Sequence, residues 1–399
     1  MTNKSYHYSP LQLLATLWLL VSSAAFLTYS ISNPIVEWDM LAYAASADAM
    51  DGGSAEQIHH RVYSELKDRA TAKEFEAITS ANHYREVMYA DAQAFNEQLP
   101  YYSIRVTFNT LLAKLHGLGL SLYDAGYFVT ASAFVLSLLV LWGSLNDRIH
   151  PVLQIVFPIM FYKYTMDLDV LRQILADSLA SVWVVFICIA YIRGTRLLLP
   201  LLALSVFVRV DLVIFSGLFL LLLFATSERK NYFSLFTCAA VMFTCFLLVQ
   251  EWAGSYGWKT LYYFAIISDM LATHPSEYGE IGFTFAEYLN SLVDPSRWVS
   301  RMFWVTAIFA TATLLLWKSA GLGEENKKFC RVSGICVLYI AAHYLIFPQL
   351  YLRFFVSQNM VIFACFSVLS THFWRAYVVD DRRQDVRLPG KQTVENKII

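Results

Sequence analysis

The chain has 399 residues, of which 57% are hydrophobic and 15% are charged, and its mean hydropathy is +0.47. Soluble domains carry about 25% charged residues, so this composition excludes an ordinary water-soluble protein. The formal net charge of −1 provides no field that would attract nucleic acid, and no nucleic-acid partner is expected. The composition therefore predicts an all-α polytopic membrane protein, with residues 1–399 forming a single membrane domain.

Apolar runs of roughly 20 residues, the length that crosses a bilayer as a helix, recur along the chain. The single runs are 11–33, 123–143, 150–165, 170–192, 232–251, 298–317, 332–347 and 354–374. The run 197–226 is too long for one span and carries Arg209 and Asp211 at its middle, so we divide it there into two short helices. The sequence thus predicts about ten transmembrane helices.

Basic residues concentrate in alternate connections between these runs. The basic connections are 144–149, 193–196, 227–231, 318–331 and the tail 375–399. Because positively charged loops remain in the cytoplasm, this pattern predicts an inner-membrane protein whose N- and C-termini are both cytoplasmic. The first apolar run is long and lacks a small-residue cleavage site, so we expect it to stay as an anchor.

This orientation leaves two longer segments, residues 34–122 and 252–297, at the outer face. The first contains amphipathic helices, because apolar residues recur there at helical spacing. The two series are Ile58, Val62 and Leu66, then Ile104, Phe108, Leu111 and Leu115. The later series follows Pro100 and predicts a helix in the membrane interface. The second segment is rich in Trp and Tyr, which fits an aromatic-lined platform or an ordinary interfacial belt.

Two carboxylates, Glu37 and Asp39, follow directly after the first apolar run. A carboxylate held at the membrane surface beside apolar helices can have its pKa adjusted and act as a general base. The alternative is a solvated helix cap, with Asp39 in the N-cap position. Spacing alone favours the helix cap over the general base.

A second group of polar residues lies between the third and fourth predicted spans. It comprises Lys163, Asp167, Asp169, Arg172, Gln173 and Asp177. An ionisable side chain inside an apolar run is costly, so Arg172 and Asp177 are candidates for function. They are five positions apart, which one helical turn does not align, so each is expected to face a different partner. Structural pairing between helices is the alternative.

Arg209 and Arg353 each place a guanidinium at the predicted outer boundary of the membrane. Arginine is suited to bidentate contact with phosphate, although a single arginine fits snorkelling to lipid headgroups equally well. Several arginines from separate spans favour one shared anion site. No metal site is predicted, because the adjacent His59 and His60 point to different faces of a helix.

The order of these features resembles the GT-C superfamily of integral-membrane glycosyltransferases, which use polyprenyl-phosphate-linked sugars. The elements that carry the resemblance are Trp38-Asp39-x-x-x-Tyr43, Gly52, Leu99-Pro100-Tyr101-Tyr102, Asp177 and Arg209. In such enzymes an acidic residue of the first outer loop is the catalytic base. The resemblance implies that role for Asp39, with Glu37 as a neighbour able to substitute, and less directly a second acidic site at Asp167 or Asp169.

The implied reaction moves a sugar from a polyprenyl-phosphate carrier to a hydroxyl of a glycan or lipid acceptor at the outer face. The departing phosphate needs cations to stabilise its charge. The arginines available to bind it are Arg105, Arg172, Arg209 and Arg353. No nucleotide or redox cofactor is expected, a divalent metal is not indicated, and membrane lipids are the other expected partners.

Two other functions remain as alternatives. A polysaccharide polymerase or ligase also uses lipid-linked glycans, but it needs two of them and often has its large outer loop late in the chain. A transporter or flippase would have charged residues buried mid-span on several helices. The early position of the long loop, after one span, favours the glycosyltransferase.

Overall fold

A computed structural model describes residues 9–160, 169–226, 229–268, 271–278, 281–294, 301–319, 323–349 and 351–379. Throughout these ranges the regular structure is helical, without strands, so the all-α prediction is confirmed. The first helices are α1 (Pro10–Ser32), α2 (Trp38–Asp48), α3 (Ala55–Arg69), α4 (Ala72–Ser80), α5 (His83–Ala90), α6 (Ala92–Asn96), α7 (Pro100–Ser103), α8 (Val106–Gly117) and α9 (Leu122–Leu145). They are followed by α10 (Pro151–Met160), α11 (Asp177–Arg193), α12 (Leu198–Val208), α13 (Leu212–Thr226), α14 (Tyr232–Trp252), α15 (Gly257–Tyr262), α16 (Phe285–Val293), α17 (Arg301–Ser319), α18 (Glu324–Ile346) and α19 (Leu352–Phe373).

Five helical stretches within the described residues are long and apolar enough to cross a membrane, judged by length and composition. They are α1, α9, α14, α18 and the stretch Arg353–Ala376 that begins in α19. Shorter apolar helices cover Leu198–Val208, Leu212–Thr226 and Trp304–Trp317. The number of ten spans, the membrane type and the orientation of the termini stay predictions.

Two of the predicted apolar runs are interrupted, and residues at these interruptions belong to the candidate site described below. The predicted division of 197–226 is confirmed, since α12 ends at Val208 and α13 begins at Leu212. The predicted span 170–192 is wrong at its start, because α11 begins at Asp177. Gln173 has an extended backbone, and the Leu175 N–H is bound by the Thr130 hydroxyl of α9 at 3.0 Å, so side-chain and loop partners replace helical hydrogen bonds there. The predicted span 150–165 continues past α10 into residues outside the described ranges.

Buried apolar side chains form two cores. The larger core lies among α1, α9 to α14 and α17 to α19. The smaller core joins α2 to α6 and α8 with the first turns of α9 and with Ile174 and Ala176. Residues 34–122 are therefore a packed helical unit, here called the loop unit, which rests on α9 and on the stretch before α11.

The local sequence accounts for the helices of the loop unit. Four of them begin at side-chain caps: Ser54 and Thr71 form capping boxes, and the side chains of Asn82 and Asp91 accept hydrogen bonds from first-turn backbone N–H groups. The apolar series of α3 faces inward as predicted, since its members are buried: Ile58, Val62 and Leu66. Capping by nearby residues and burial of one face together define these short helices.

The helix predicted to start at Pro100 is interrupted. α7 ends at Ser103 and α8 begins anew at Val106, because Arg105 has a non-helical backbone with φ −93° and ψ 61°. Of the predicted series, Phe108 is buried, and Ile104 and Leu115 pack against the two cores. Leu111 is exposed, contrary to the prediction, and the inward-facing residues of α8 are Phe108, Asn109 and Leu112.

The segment 252–297 packs against the loop unit. The Gln98 Nε2 donates to the carbonyls of Ala272 and Thr273, both at 3.2 Å, and the Ser276 hydroxyl donates to Glu97 Oε2 at 2.6 Å. Some aromatic residues of this segment are exposed and others are packed against one another. Trp252 and Trp258 are exposed, whereas Tyr262 is buried and stacks on Phe283, with 4.9 Å between ring centroids.

Candidate active site

Asp39 lies in the first turn of α2, a short distance along the chain after α1 ends at Ser32. The N-cap of α2 is Glu37, which has an extended backbone and makes no side-chain capping bond. The capping interpretation of Asp39 is therefore wrong: its carboxylate bonds to side chains of other elements. A carboxylate in the first turn of a helix interacts favourably with the helix dipole.

The two oxygens of the Asp39 carboxylate have different partners. The Tyr102 hydroxyl of α7 donates to Oδ1 at 2.8 Å, and Arg353 Nη1 of α19 donates to Oδ2 at 2.8 Å. About a quarter of each side chain of the ion pair is exposed, 27% for Asp39 and 28% for Arg353. The predicted base and one predicted phosphate-binding arginine thus meet where the loop unit contacts the last long helix.

Arg209 belongs to an adjoining, more deeply buried network. Its guanidinium donates to both oxygens of Asp211, with 2.6 Å between Nε and Oδ1, and its Nη1 donates to Asp177 at the start of α11. The break between α12 and α13 makes this possible, because it lets Arg209 and Asp211 turn their side chains toward each other. Asp177 and Arg172 do face different partners, as expected.

The same network includes two residues of α18. The Tyr339 hydroxyl donates to Asp211 Oδ2 at 2.8 Å, and His343 Nε2 lies 3.4 Å from the same oxygen. His343 is buried, and its Nδ1 has no hydrogen-bond partner among the described residues. Two carboxylates and one guanidinium are therefore grouped together, with Tyr339 and His343 of α18 beside them.

The phenyl ring of Phe354 joins the two arginine sites. The Cζ atom of Arg209 lies 5.6 Å from the ring centroid, and the Cζ atom of Arg353 lies 5.3 Å from it. A guanidinium over an aromatic face is attracted by the ring quadrupole. The shared ring brings Asp39, Arg209 and Arg353 into one neighbourhood, as a common anion site requires.

Glu37 connects α2 with the stretch before α11. Its Oε1 accepts a hydrogen bond from Gln173 Nε2 at 2.8 Å. Burial, followed by the nearby Asp39 carboxylate, raises the pKa of Glu37 above its ordinary value. A carboxyl group whose pKa is raised by burial and by a neighbouring carboxyl group is a feature of acid–base sites.

Arg172 lies at the rim of this region. It donates to the backbone carbonyl of Asn33 at 2.5 Å and to Asp169 Oδ1 at 3.0 Å, and its Cζ lies 5.5 Å from the Tyr29 ring centroid. These contacts tie the connection after α1 to the stretch before α11, and they do not include Asp39 or Arg353. Asp169 is exposed, and Asp167 lies outside the described residues.

Arg105 is placed behind Asp39 by the break between α7 and α8. Its Cζ lies 6.0 Å from the Tyr43 ring centroid and 5.7 Å from the Tyr102 ring centroid, and its Nη1 donates to the Tyr101 carbonyl. Arg105 therefore supports the tyrosine that binds Asp39 and adds positive charge behind it.

Several members of the site are not predicted by the sequence patterns. Tyr102 belongs to a motif that assigns it no role, and Phe354 is simply the neighbour of Arg353 in the chain. His343 carries a usable signal, since it is an ionisable residue inside an apolar run. Tyr339 and Phe354 have no such signal in the sequence, because single aromatic residues are common in membrane-spanning helices.

Metal binding finds no support in the placement of the histidines. His59 Nε2 lies 3.0 Å from the Met88 carbonyl and its ring packs on Tyr63, while the neighbouring His60 is exposed. Within the described ranges, no group of three or more His, Cys, Asp or Glu side chains is arranged to hold a metal ion.

Comparisons with protein-family models, with curated proteins and with solved structures give no match for this chain. The resemblance to GT-C glycosyltransferases therefore depends on the motif residues alone. The case for a function depends on the geometry around Asp39.

Proposed function

We propose that this protein is a membrane glycosyltransferase that moves a sugar from a polyprenyl-phosphate carrier to an acceptor hydroxyl at the outer face of the cytoplasmic membrane. The observation that carries the proposal is the contact of the Asp39 carboxylate with the Arg353 guanidinium, 2.8 Å apart, beside helices that are apolar enough to span a bilayer. In a lipid-linked sugar phosphate, the anomeric carbon that an acceptor hydroxyl attacks is bonded to the phosphate. A base is needed to deprotonate the hydroxyl, and a cation is needed beside it to bind the phosphate.

Asp39 is the general base of the proposed reaction. Its side chain is 27% exposed, so an acceptor hydroxyl can approach it, while the loop unit holds the rest of α2 in the smaller core. A base must come within hydrogen-bond reach of the proton that it removes, and it must be held in place by its surroundings. Tyr102 and the first turn of α2 provide that support.

Arg353 is the principal cation for the donor phosphate. Its side chain is 28% exposed, and within the described residues its single hydrogen bond is the one to Asp39, so Nε and Nη2 retain donors for phosphate oxygens. Arg209 is less suited to that role, because Asp177 and Asp211 already neutralise it. We assign Arg209 to holding Phe354 and the helix break in place.

The reaction needs one proton transfer and one displacement. Asp39 takes the proton of the acceptor hydroxyl while the oxygen attacks the anomeric carbon of the donor sugar. The bond between that carbon and the phosphate oxygen breaks, and the polyprenyl phosphate leaves with its negative charge paired to Arg353. The glycan or lipid acceptor gains the sugar, and neither a nucleotide nor a redox cofactor takes part.

A transporter is the second candidate function. The buried group formed by Asp177, Arg209, Asp211 and His343 draws ionisable residues from several apolar helices, which is typical of a substrate or proton pathway. The asymmetry of the other polar groups favours the transferase, because Asp39, Arg353 and the loop unit lie together at one end of the helices. A polymerase or ligase would share the same chemistry with a second lipid-linked glycan as acceptor.

The test is sugar transfer by the full-length protein in membranes, from a polyprenyl-phosphate donor with a radiolabelled sugar. Asp39→Asn should lower the transfer rate by about 10²–10⁴-fold, because the amide cannot accept the proton. The variant should insert and fold, since asparagine keeps the size of the side chain and can still accept from Tyr102.

Glu37→Gln is the matched control, and it should reduce transfer less, because Glu37 contacts Gln173 and not Arg353. Asp39→Asn activity near that of the wild type would refute the assignment of the base. Uptake of a sugar into vesicles, with no covalent transfer, would instead select the transporter.

A further inference from the structure

The ion pair that brings Asp39 and Arg353 together also opposes the proposed function, on which this inference rests. As long as Arg353 Nη1 donates to Asp39 Oδ2 at 2.8 Å, the guanidinium occupies the position from which an acceptor hydroxyl would donate to that oxygen. The same guanidinium is needed by the donor phosphate. One of the two contacts of the Asp39 carboxylate, with Tyr102 or with Arg353, must therefore break before the reaction. The surroundings of these two donors indicate which contact breaks.

Tyr102 is the donor that is fixed in place. Its ring meets Tyr43 edge to face at 5.1 Å and lies 6.1 Å from Trp38, and its carbonyl accepts a hydrogen bond from Asn109 Nδ2 at 3.1 Å. Burial, together with the nearby Asp39 carboxylate, raises the pKa of Tyr102 well above its ordinary value, so the phenol stays protonated and keeps donating to Oδ1.

Arg353 is the donor that can move. It lies in the first turn of α19, is 28% exposed, and makes its one hydrogen bond within the described residues to Asp39. Its other close contacts are the ring faces of Tyr351 and Phe354, at 6.0 and 5.3 Å from Cζ. Contacts of this kind depend less on direction than hydrogen bonds do, so the guanidinium can shift across the rings without losing them.

We propose that Tyr102 is the positioning residue that holds the Asp39 carboxylate while Arg353 exchanges Asp39 Oδ2 for the phosphate of the lipid-linked donor. A phosphate offers the guanidinium a bidentate partner, which the single contact with Asp39 does not. After the exchange, Oδ2 has lost its cation and is the atom that takes the acceptor proton, and Arg353 remains charged on the phosphate. The general base, Asp39, therefore becomes accessible to the acceptor hydroxyl only when the lipid-linked sugar phosphate is bound.

The exchange is tested by chemical labelling of carboxylates in the full-length protein in lipid nanodiscs. An isoxazolium reagent, which reacts with carboxylates, is applied with and without farnesyl phosphate, and labelled peptides are quantified by mass spectrometry. Asp39 labelling should increase several-fold with farnesyl phosphate, whereas the exposed Asp51 should be unchanged. In Arg353→Gln, Asp39 should be labelled strongly with or without the phosphate. Wild-type labelling of Asp39 that falls or stays constant overturns the exchange.

The positioning role is tested by steady-state kinetics of sugar transfer. Tyr102→Phe keeps the aromatic packing and should lower kcat while leaving the KM for the donor unchanged, whereas Arg353→Lys should raise that KM. Tyr101→Phe is the matched control, because the Tyr101 hydroxyl has no hydrogen-bond partner among the described residues, and it should change neither constant. Wild-type kcat in Tyr102→Phe, or an equal change in Tyr101→Phe, overturns the role.

The two experiments separate this inference from the proposed function. The labelling response requires phosphate binding and no sugar transfer. A rise in Asp39 labelling in a protein that transfers no sugar would reject the glycosyltransferase and keep the exchange as a response to a lipid phosphate. Sugar transfer by the wild type without any labelling response would reject the exchange and keep the glycosyltransferase.

Discussion

Asp39 and Arg353 are 314 positions apart in the chain, and their side chains form an ion pair with 2.8 Å between Oδ2 and Nη1. The pair connects the first helix of the loop unit with the last long helix of the chain. The candidate site is therefore assembled when both ends of the protein have packed together. Such long-range closure costs chain entropy, which the burial of the two hydrophobic cores must offset.

The orientation in the membrane can be measured with reporter fusions. Fusions at residues 80 and 275 should report the outer side of the membrane, and a fusion at residue 325 should report the cytoplasm, because the basic connections alternate with the two long segments. A cytoplasmic report from residue 80 would overturn the predicted topology, and it would move the proposed reaction to the side where nucleotide sugars are present.

Arg209→Gln should destabilise the protein strongly. It leaves the carboxylates of Asp177 and Asp211 partly or fully buried without their cation, and breaking a buried ion pair costs about 3–5 kcal/mol in the free energy of unfolding. The matched control is Arg148→Gln, which breaks the exposed pair with Glu325, 2.6 Å apart, and should cost about 0–1 kcal/mol. Denaturant unfolding in detergent micelles measures both variants, and equal losses would contradict the assigned structural role of Arg209.

Gly126→Ala should disturb the site through packing. A Cβ at Gly126 of α9 would lie 2.7 Å from Ile174 Cδ1 and 2.8 Å from its Cγ2, so the Ile174 side chain, next to the Gln173 that binds Glu37, must shift. Overpacking of this kind costs about 1–3 kcal/mol.

The control for this prediction is Gly143→Ala in the same helix, where a Cβ would meet nothing within 4 Å. Gly126→Ala should cost less stability in an Ile174→Ala background than in the wild type, since the shorter side chain leaves room for the added methyl group. Thermal unfolding followed by tryptophan fluorescence distinguishes the variants. A Gly126→Ala protein as stable as Gly143→Ala would show that this contact is not tight.

Glu37→Gln should change how stability depends on pH. Burial, followed by the neighbouring Asp39, raises the pKa of Glu37 above 4.5, so the folded protein binds this proton more tightly than the unfolded chain does. The favourable contribution is complete below pH 4.5 and is lost as the pH rises through the raised pKa. The glutamine is neutral throughout and keeps an oxygen for Gln173. The free energy of unfolding of the variant minus that of the wild type should therefore increase with pH and then level off.

Denaturant titrations of both proteins at a series of pH values measure this difference. The contributions of titrating groups that do not interact with Glu37 are the same in the two proteins and cancel in the subtraction. A difference that is independent of pH would mean that Glu37 ionises as freely in the folded protein as in the unfolded chain.

Features that depend on neighbours along the chain could be predicted from the sequence. The apolar runs, the buried face of α3 and the break at Arg209 all follow from residues within a few positions of one another, because helix formation and capping are local. The sequence also selected Asp39, since a carboxylate next to an apolar span is unusual.

The tertiary structure decided what these residues bind. Sequence spacing treated Arg105, Arg172, Arg209 and Arg353 as equivalent cations, but the fold pairs Arg209 with two carboxylates, ties Arg172 to a loop and brings Arg353 to Asp39. The late start of α11 likewise depends on a contact with another element, the Thr130 hydroxyl of α9. Partners that meet across hundreds of positions leave no periodic signal in the chain, because only the packing of helices against one another determines which side chains come within hydrogen-bond distance.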